Sequence, residues 1–355
     1  MLDRRLRNRY SRQTMLPGIG EEGQVKLLES SMVVIGCGAL GCNIASLLVR
    51  AGVGNVKIID RDFIEIHNLQ RQVLFDEADI KAELPKAIAA ERHLKKVNST
   101  VKVQGIVADI NYSNIEKFCR GADVILDGLD NAETRYLIND VSLKLKIPWI
   151  YGGAIAANGM TMTIIPGETP CFRCISPSMP PAEETATCET AGIIGTMPAI
   201  IGAIQATEAI KIITARDEIS RDLVFIDIWR GVYDHIKVEK RDNCRACNGV
   251  YEFLGKKFTE KVTSLCGQSR AVQVVDTGVK KVDLNELAVK LGKKVGNIKK
   301  YKYMLGFQAG EQEIFVFPDG RAIIKNTIDE SQAKELYHKY VKAYIQSDIH
   351  RKKQA

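Results

Sequence analysis

The stretch Met32-Val33-Val34-Ile35-Gly36-Cys37-Gly38-Ala39-Leu40-Gly41 decides the fold. Four apolar residues make a short strand that stops at a Gly-x-Gly-x-x-Gly turn. Beyond the turn, Leu40, Ile44, Leu47, Leu48 and Ala51 recur on one face of a helix, which Gly52 ends. Residues 56–59 form a second strand closing on Asp60. Strand, glycine turn, helix and strand make one βαβ unit. Glycines in such a turn let backbone N–H groups face an anion at the helix N-terminus. Asp60, 19 residues beyond Gly41, is spaced to accept hydrogen bonds from ribose hydroxyls. The expectation is a bound nucleotide, against the bland alternative of a tight turn without a ligand.

Outward from this unit the alternation continues. Residues 1–30 read as polar helices. Residues 79–97 read as helical, with Pro85 marking a break or the start of the main helix. Next come a strand at 101–107, a short helix at 113–119, a buried strand at 123–126, a helix at 131–145 and a strand from 149. Strands at 160–165 and 223–228, with an antiparallel return at 235–238, flank an apolar helix at 198–214 that begins with proline. The fold class is α/β: a Rossmann-like, doubly wound, mostly parallel sheet with added antiparallel strands. Composition shifts near Gly255. The remaining hundred residues read as a small α+β domain, with helices at 283–291 and 329–345, strands at 301–307, 313–317 and 321–325, and a turn at 318–320. The expected organisation is an N-terminal helical segment at 1–30, a nucleotide domain at 31–255 and a small basic domain at 256–355.

Composition narrows the function. With 45% hydrophobic and 26% charged residues in 355, wholesale disorder, collagen repeats and a coiled coil are excluded. No apolar run reaches the ~18 residues of a membrane span. The start, MLDRRLRNRY, lacks the apolar core of a secretory signal, so a cytoplasmic protein with no membrane partner is expected. The last hundred residues hold 20 Lys and Arg against 11 Asp and Glu, a net of +9; the first 255 hold 30 against 32, a net of −2. Docking to an acidic protein, nucleic-acid binding and plain solubility all produce such an asymmetry, and nucleic acid is not the expected partner.

Residues near the glycine turn separate ATP from NAD. Asn68-Leu69-Gln70-Arg71-Gln72 lies just beyond Asp60, and Lys86 on the next segment. Asp127-Gly128-Leu129-Asp130-Asn131 leaves the 123–126 strand at its C-terminal end, where ligands of open parallel sheets sit. Arg71 and Lys86 suit a triphosphate, and Asp130 suits Mg²⁺. Each alone reads as a solvated surface charge. A hydride-transfer enzyme needs no such set, and together they argue for ATP.

Nine cysteines include the pairs Cys171-x-x-Cys174 and Cys244-x-x-Cys247, in turn-rich sequence. Four thiolates suit one tetrahedral Zn²⁺, and four sulfurs leave no open position, so the site reads as structural; a redox pair is the weaker reading. Cys37, Cys42 and Cys119 read as small core residues, and Cys266 as either a fold element or an exposed thiol. The five histidines show no metal spacing.

In order along the chain, Arg9-Tyr10-Ser11-Arg12-Gln13, the glycine turn, Asp60, Asn68 to Gln72, Pro85-Lys86 and Leu126 to Asn131 resemble the MoeB/ThiF family, adenylyltransferases related to the ubiquitin-activating enzymes. The resemblance continues through Pro170 to Cys174, Thr187-Cys188-Glu189-Thr190-Ala191-Gly192 and Gln205 to Lys211 to the second cysteine pair, covering roughly residues 8 to 250. It implies that Gly36, Gly38, Ala39, Gly41 and Asp60 hold the adenosine half of ATP. Asn68, Arg71 and Lys86 would contact phosphates, and Asp130 with Asn131 would support Mg²⁺ and phosphate. Arg12 would reach into a partner subunit's site, so a homodimer is implied. Ala39 departs from the third closely spaced glycine of many members, where a backbone N–H serves equally. The implied reaction is adenylation of the terminal glycine of a small ubiquitin-like or sulfur-carrier protein ending in Gly-Gly. Cys188 then either takes the acyl group, as a thioester or acyl-disulfide, or is a non-catalytic loop cysteine, with a downstream acceptor or sulfur donor completing the pathway. The strands from Trp149 to Thr163 are expected to receive the carrier tail, with Gly152 and Gly153 leaving room. Rival readings are a tRNA-directed adenylating dehydratase, an NAD-dependent oxidoreductase and a non-catalytic scaffold. The small basic domain reads as a partner-docking module.

Overall fold

A computed structural model describes residues 2–179, 188–255, 260–265, 270–279, 282–292 and 294–345. The chain divides into two compact units, residues 1–256 and 257–355.

In the first unit the run at 32–35 becomes a central strand, β1 (Ser31–Ile35), of an eight-stranded sheet. Its fellows are β2 (Asn55–Asp60), β3 (Lys102–Val107), β4 (Val124–Asp127), β5 (Trp149–Ile155), β6 (Asn158–Ile164), β7 (Leu223–Asp227) and β8 (Val232–Ile236). The order is β3-β2-β1-β4-β5-β6-β7-β8. Pairing is parallel from β3 to β5 and antiparallel from there to β8. The chain winds outward from β1 to β3, then returns to β4 on the other side of β1. That reversal opens a crevice at the C-terminal ends of β1 and β4, the usual ligand position in such sheets.

The helices are α1 (Arg4–Tyr10), α2 (Gly20–Glu29), α3 (Ala39–Ala51), α4 (Glu77–Lys81), α5 (Lys86–Val97), α6 (Ile115–Cys119), α7 (Ala132–Leu145), α8 (Phe172–Ile175), α9 (Cys188–Ala191), α10 (Thr196–Thr214) and α11 (Glu252–Gly255). One core packs Met32 and Val34 of β1 against Ile44 and Leu48 of α3, Leu94 of α5 and Ile201 of α10. The other packs Val33 and Ile35 against Tyr136 and Ile138 of α7, with Trp149, Phe172 and Cys171. With both faces covered, β1 and β4 read as unbroken apolar runs instead of alternating ones. Cys37, Cys42 and Cys119 are fully buried core residues.

Pro85 starts the main helix, as the sequence reading allowed: it is the extended N-cap residue of α5, and α4 ends before it. The bounds of β8 differ from the reading of the sequence. The return strand runs 232–236, because Asp227 accepts the N–H groups of Trp229 and Arg230 at 3.1 Å each and the chain turns immediately at Gly231. By length and composition α10 could cross a membrane. It is instead a core helix: Met197, Ile201, Ala206 and Ala209 are buried, and Glu208 pairs with Lys211 at 2.8 Å.

The second unit is a six-stranded antiparallel sheet of β9 (Glu260–Leu265), β10 (Ala271–Asp276), β11 (Gly296–Lys300), β12 (Leu305–Ala309), β13 (Gln312–Val316) and β14 (Ala322–Lys325), in the order β11-β12-β13-β14-β10-β9. Helices α12 (Leu284–Leu291) and α13 (Glu330–Tyr337) pack on its apolar face, Leu287 and Tyr337 joining Val272, Phe307 and Ile324. Three of these strands, β9, β10 and β11, escape the sequence reading. Every residue of β10 is buried, which removes the alternation. At the sheet edge, β11 carries exposed Lys299 and Lys300, the kind of charge that blunts an edge strand.

Candidate active site

The glycine turn is built by backbone approach. Gly36 has φ +91°, and a Cβ there would lie 2.6 Å from the Gly128 carbonyl oxygen. A Cβ on Gly41 would lie 2.0 Å from the Gly36 oxygen, and one on Gly128 would lie 2.4 Å from it. Three glycines on β1, α3 and the β4 exit thus pack without side chains between them. Gly38 is different: the nearest atom to a Cβ there is 3.7 Å away. It is the N-cap of α3 and makes no side-chain cap, so the first-turn N–H groups of that helix have no capping side chain to bond. An uncapped helix N-terminus of this kind can receive an anion.

Asp60 ends β2 beside this turn. Its Oδ2 accepts the Cys37 N–H at 2.6 Å and its Oδ1 the Asp62 N–H at 2.7 Å. Burial raises its pKa above the ordinary carboxylate value, with Asp62 adding to the rise and Lys86 opposing it. Lys86, only 8% exposed, opens α5, and its Nζ lies 3.4 Å from Asp62 Oδ2. Burial works to lower its pKa, but the carboxylates of Asp62, Asp60 and Asp130 outweigh it and hold the ammonium charged. Asp130 is exposed, just past β4, and Asn131 caps α7 by accepting the Thr134 N–H at 3.0 Å. Lys86, Asp60 and Asp130 are therefore brought together at one crevice mouth. Arg71 lies on the segment beyond β2, donating from Nη1 to the His67 carbonyl at 2.9 Å. Asn68 is buried and closes a short turn, its Oδ1 accepting the Glu65 N–H at 3.0 Å.

Arg12 is held elsewhere. Tyr10, two residues before it, is buried with its hydroxyl accepting from Asn98 at 2.9 Å, and Gln13 donates to the Ala51 carbonyl at 2.9 Å. Both anchors are at the C-terminal end of α3, while the glycine turn is at its N-terminal end. Thirteen residues at 1.5 Å each separate those ends by about 20 Å. Arg12 is exposed, and its side chain has no ion pair among the described residues.

The four cysteines of the two pairs meet. Cys171 Sγ lies 3.9 Å from Cys174 Sγ and 3.5 Å from Cys244 Sγ, and Cys174 Sγ 3.7 Å from Cys247 Sγ, with all four within 4.8 Å of one another. A tetrahedron of sulfurs about 2.3 Å from Zn²⁺ has edges of about 3.8 Å, so the donor set fits that ion. The hydrogen bond it gives Cys247, together with burial, holds the Cys171 thiol well above the usual range, while the same bond lowers Cys247 to about 5. Four thiolates within 4.8 Å of one another repel, so a cation among them offsets the cost of ionising all four. Helix α7 steadies both halves of this cluster. Asn139 accepts the Phe172 N–H at 2.9 Å, and Asp140 accepts the Phe253 N–H at 2.7 Å.

Residues 10–246 match the ThiF family profile. The chain belongs to the ThiF family. Over 336 residues it is 40% identical to the "Sulfur carrier protein ThiS adenylyltransferase" of Bacillus subtilis, covering 94% of this chain and 99% of that protein. It is 35% identical over 247 residues to the "SAMP-activating enzyme E1" of Haloferax volcanii, covering 69% and 90%. Among solved structures, E. coli MccB with ATP superposes at a TM-score of 0.59 with 26% identity, covering 68% of this chain and 74% of that one.

In this ThiF-family chain, the side chains that sequence reasoning missed are those behind the crevice. Asp127 is fully buried and pairs with Arg135 Nε at 3.0 Å. Arg61 pairs with Asp109 at 2.7 Å and also feels Asp130. The Asp60-Arg61-Asp62 triplet was the available signal. At Gly152 a Cβ would meet the Gln205 side chain at 2.4 Å, so this glycine makes room for Gln205. Cys188 opens α9, its side chain and all of Cys266 lying outside the described residues.

Proposed function

We propose that this chain uses ATP to adenylate the C-terminal glycine carboxylate of a small ubiquitin-like sulfur-carrier protein. The observation that carries the reading is Lys86: a buried ammonium kept charged by three carboxylates at the mouth of a glycine-turn crevice. The activities for which the Bacillus and Haloferax relatives are named support the carrier as substrate.

The carrier's carboxylate is already an anion and needs no strong base. One of its oxygens attacks the α-phosphorus, the bond from that phosphorus to the bridging oxygen breaks, and pyrophosphate leaves with the electron pair. The protein's work is alignment and charge neutralisation. Gly38, Ala39 and the α3 N-terminus receive the nucleotide beside Gly36 and Gly41, with Asp60 at the ribose. Lys86 and Arg71 neutralise phosphate charge; Asn68 closes the turn just before Arg71, and Asn131 caps α7 just after Asp130. Mg²⁺ at Asp130 would supply further neutralisation of the polyphosphate. The neighbours of Arg12, Tyr10 and Gln13, are anchored at the far end of α3, a helix about 20 Å long, so Arg12 serves a second copy, in a homodimer with shared sites. Zn²⁺ at Cys171, Cys174, Cys244 and Cys247 is structural. Cys188 is the acceptor in a subsequent transfer, the basic second unit docks a partner, and the enzyme works in the cytoplasm.

The test is ATP–pyrophosphate exchange with purified protein, Mg²⁺ and a panel of Gly-Gly-ended carriers, each also supplied with its terminal carboxylate amidated. Exchange stimulated by one free-acid carrier and not by its amide supports the reading. Exchange stimulated by tRNA instead, or by nothing, contradicts it.

A further inference from the structure

Behind the crevice one guanidinium joins three pieces of chain. Arg135, on the first turn of α7, donates from Nε to Asp127 Oδ2 at 3.0 Å, from Nη2 to the Leu129 carbonyl at 2.6 Å and from Nη2 to the Gly152 carbonyl at 2.8 Å. Asp127 Oδ1 in turn accepts the Leu129 N–H at 2.9 Å. The residue just before Asp130 is therefore held at both its N–H and its C=O, the first by Asp127 and the second by Arg135. The Arg135 side chain is 14% exposed, and its guanidinium carbon lies over the Tyr151 ring, 5.3 Å from the centroid. Gln205 runs a parallel tie, donating from Nε2 to the Asp127 carbonyl at 3.0 Å and to the Ile150 carbonyl at 3.1 Å.

These ties serve no secondary structure. The β4 ladder ends at Asp127, and α7 begins at Ala132, so residues 128–131 are a loop; its Gly128 N–H bonds the Ile35 carbonyl at 2.8 Å, and side chains hold Leu129. Two backbone carbonyls 23 residues apart, on the β4 exit and on β5, converge on one nitrogen. Only a planar fork with several donors on fixed vectors does this while also holding Asp127, and a lysine ammonium has one donor centre.

We propose that Arg135 is a positioning residue for adenylation: it sets the Leu129 peptide, and through it the Asp130 carboxylate, at the distance from β5 at which the nucleotide's phosphates are engaged. The inference rests on the assignment of Asp130 to the Mg²⁺–phosphate end of ATP. Arg135 itself touches backbone and Asp127, not substrate. The adenosine end is held by Gly38, Ala39 and Asp60, which Arg135 does not contact. Its loss therefore affects the two ends of ATP unequally.

The experiment uses the full chain and two variants: Arg135→Lys, which keeps a cation for Asp127, and the double variant Asp127→Asn with Arg135→Gln, which removes both charges together. Thermal melting, kcat and KM for ATP in pyrophosphate exchange, and the Mg²⁺ concentration giving half-maximal rate are read for each. The expected result in Arg135→Lys is a kcat lower by about 10- to 100-fold, since a misplacement of about 1 Å costs on that order. Half-saturating Mg²⁺ rises by about threefold or more, while KM for ATP changes by less than about threefold. A purely structural residue would move the melting temperature and the active fraction and leave the Mg²⁺ dependence unchanged. A kcat and Mg²⁺ dependence within about twofold of wild type in whichever variant folds would overturn the proposal. Absence of exchange in the wild type would count against the carrier-adenylation reading alone. Mg²⁺ dependence of fluorescent ATP-analogue binding then decides the inference, a shift in the variants supporting it and no shift ending it.

Discussion

The nucleotide crevice and the four-cysteine cluster hang on the same helix and are built by opposite means. The crevice, at the N-terminus of α7, is a place where side chains are missing: Gly36, Gly41 and Gly128 touch through backbone, and the charges stand around the rim. The cluster, held at the middle of α7 by Asn139 and Asp140, is made of side chains alone, with three of its four cysteines buried. In the first, added volume is the injury; in the second, a removed atom is. The difference also governs function: the crevice leaves helix N–H groups and Lys86 for a ligand, whereas four sulfurs around one ion are closed to chemistry.

The comparison breaks most easily at Gly41. In Gly41→Ala the new methyl carbon would sit 2.0 Å from the Gly36 oxygen, a backbone atom with little room to move. We expect a loss of more than about 4 kcal/mol, read by chemical denaturation, since strain of this kind belongs to the extreme tail of single substitutions. Next comes the cluster. Cys244→Ser, or chelation of the wild type, should cost more than about 3 kcal/mol in thermal unfolding, because structural metal sites contribute folding energy directly. ATP affinity of the protein still folded should stay unchanged.

A smaller effect sharpens the contrast through pH. Burial pushes the Asp140 carboxyl up to about 6, despite two N–H groups that work to lower it. A raised acid binds its proton more tightly in the folded state. Its contribution is thus fully present below the unfolded pKa of about 4 and lost as pH rises through about 6. The melting temperature of the wild type relative to Asp140→Asn should therefore fall between pH 4 and pH 7, and a difference constant with pH would refute the assignment. The smallest change is Gly38→Ala. Its Cβ meets nothing closer than 3.7 Å, so stability should change by less than about 1 kcal/mol. ATP affinity should nevertheless drop, measured by calorimetry, which separates a ligand-facing glycine from the packing glycine three residues on.

The sheet and its crevice were legible because their marks are local. An apolar run, a glycine turn and a carboxylate at fixed spacing can be read without knowing what they touch, and two C-x-x-C pairs announce four ligands although 69 residues separate them. The ties were not legible. Arg135 reaching Leu129 and Gly152, or Gln205 filling the space beside Gly152, depends on β4 lying next to β5, which no spacing states. Arg12 was legible as part of a motif, while its distance from the glycine turn emerged only once Tyr10 and Gln13 were docked on the far end of α3. In the second unit, β10 and β11 failed for opposite reasons, one buried throughout and the other a lysine-bearing edge.

The most direct test of the central claim is carrier-dependent ATP–pyrophosphate exchange in the wild type beside Lys86→Ala, with circular dichroism to establish that both are folded. The account predicts exchange that requires a Gly-Gly-ended carrier and falls by about 100-fold or more in the variant, the scale expected when a fixed charge facing phosphates is removed. Exchange in folded Lys86→Ala at the wild-type rate would contradict it, since the buried ammonium at the crevice mouth would then have no part in the reaction.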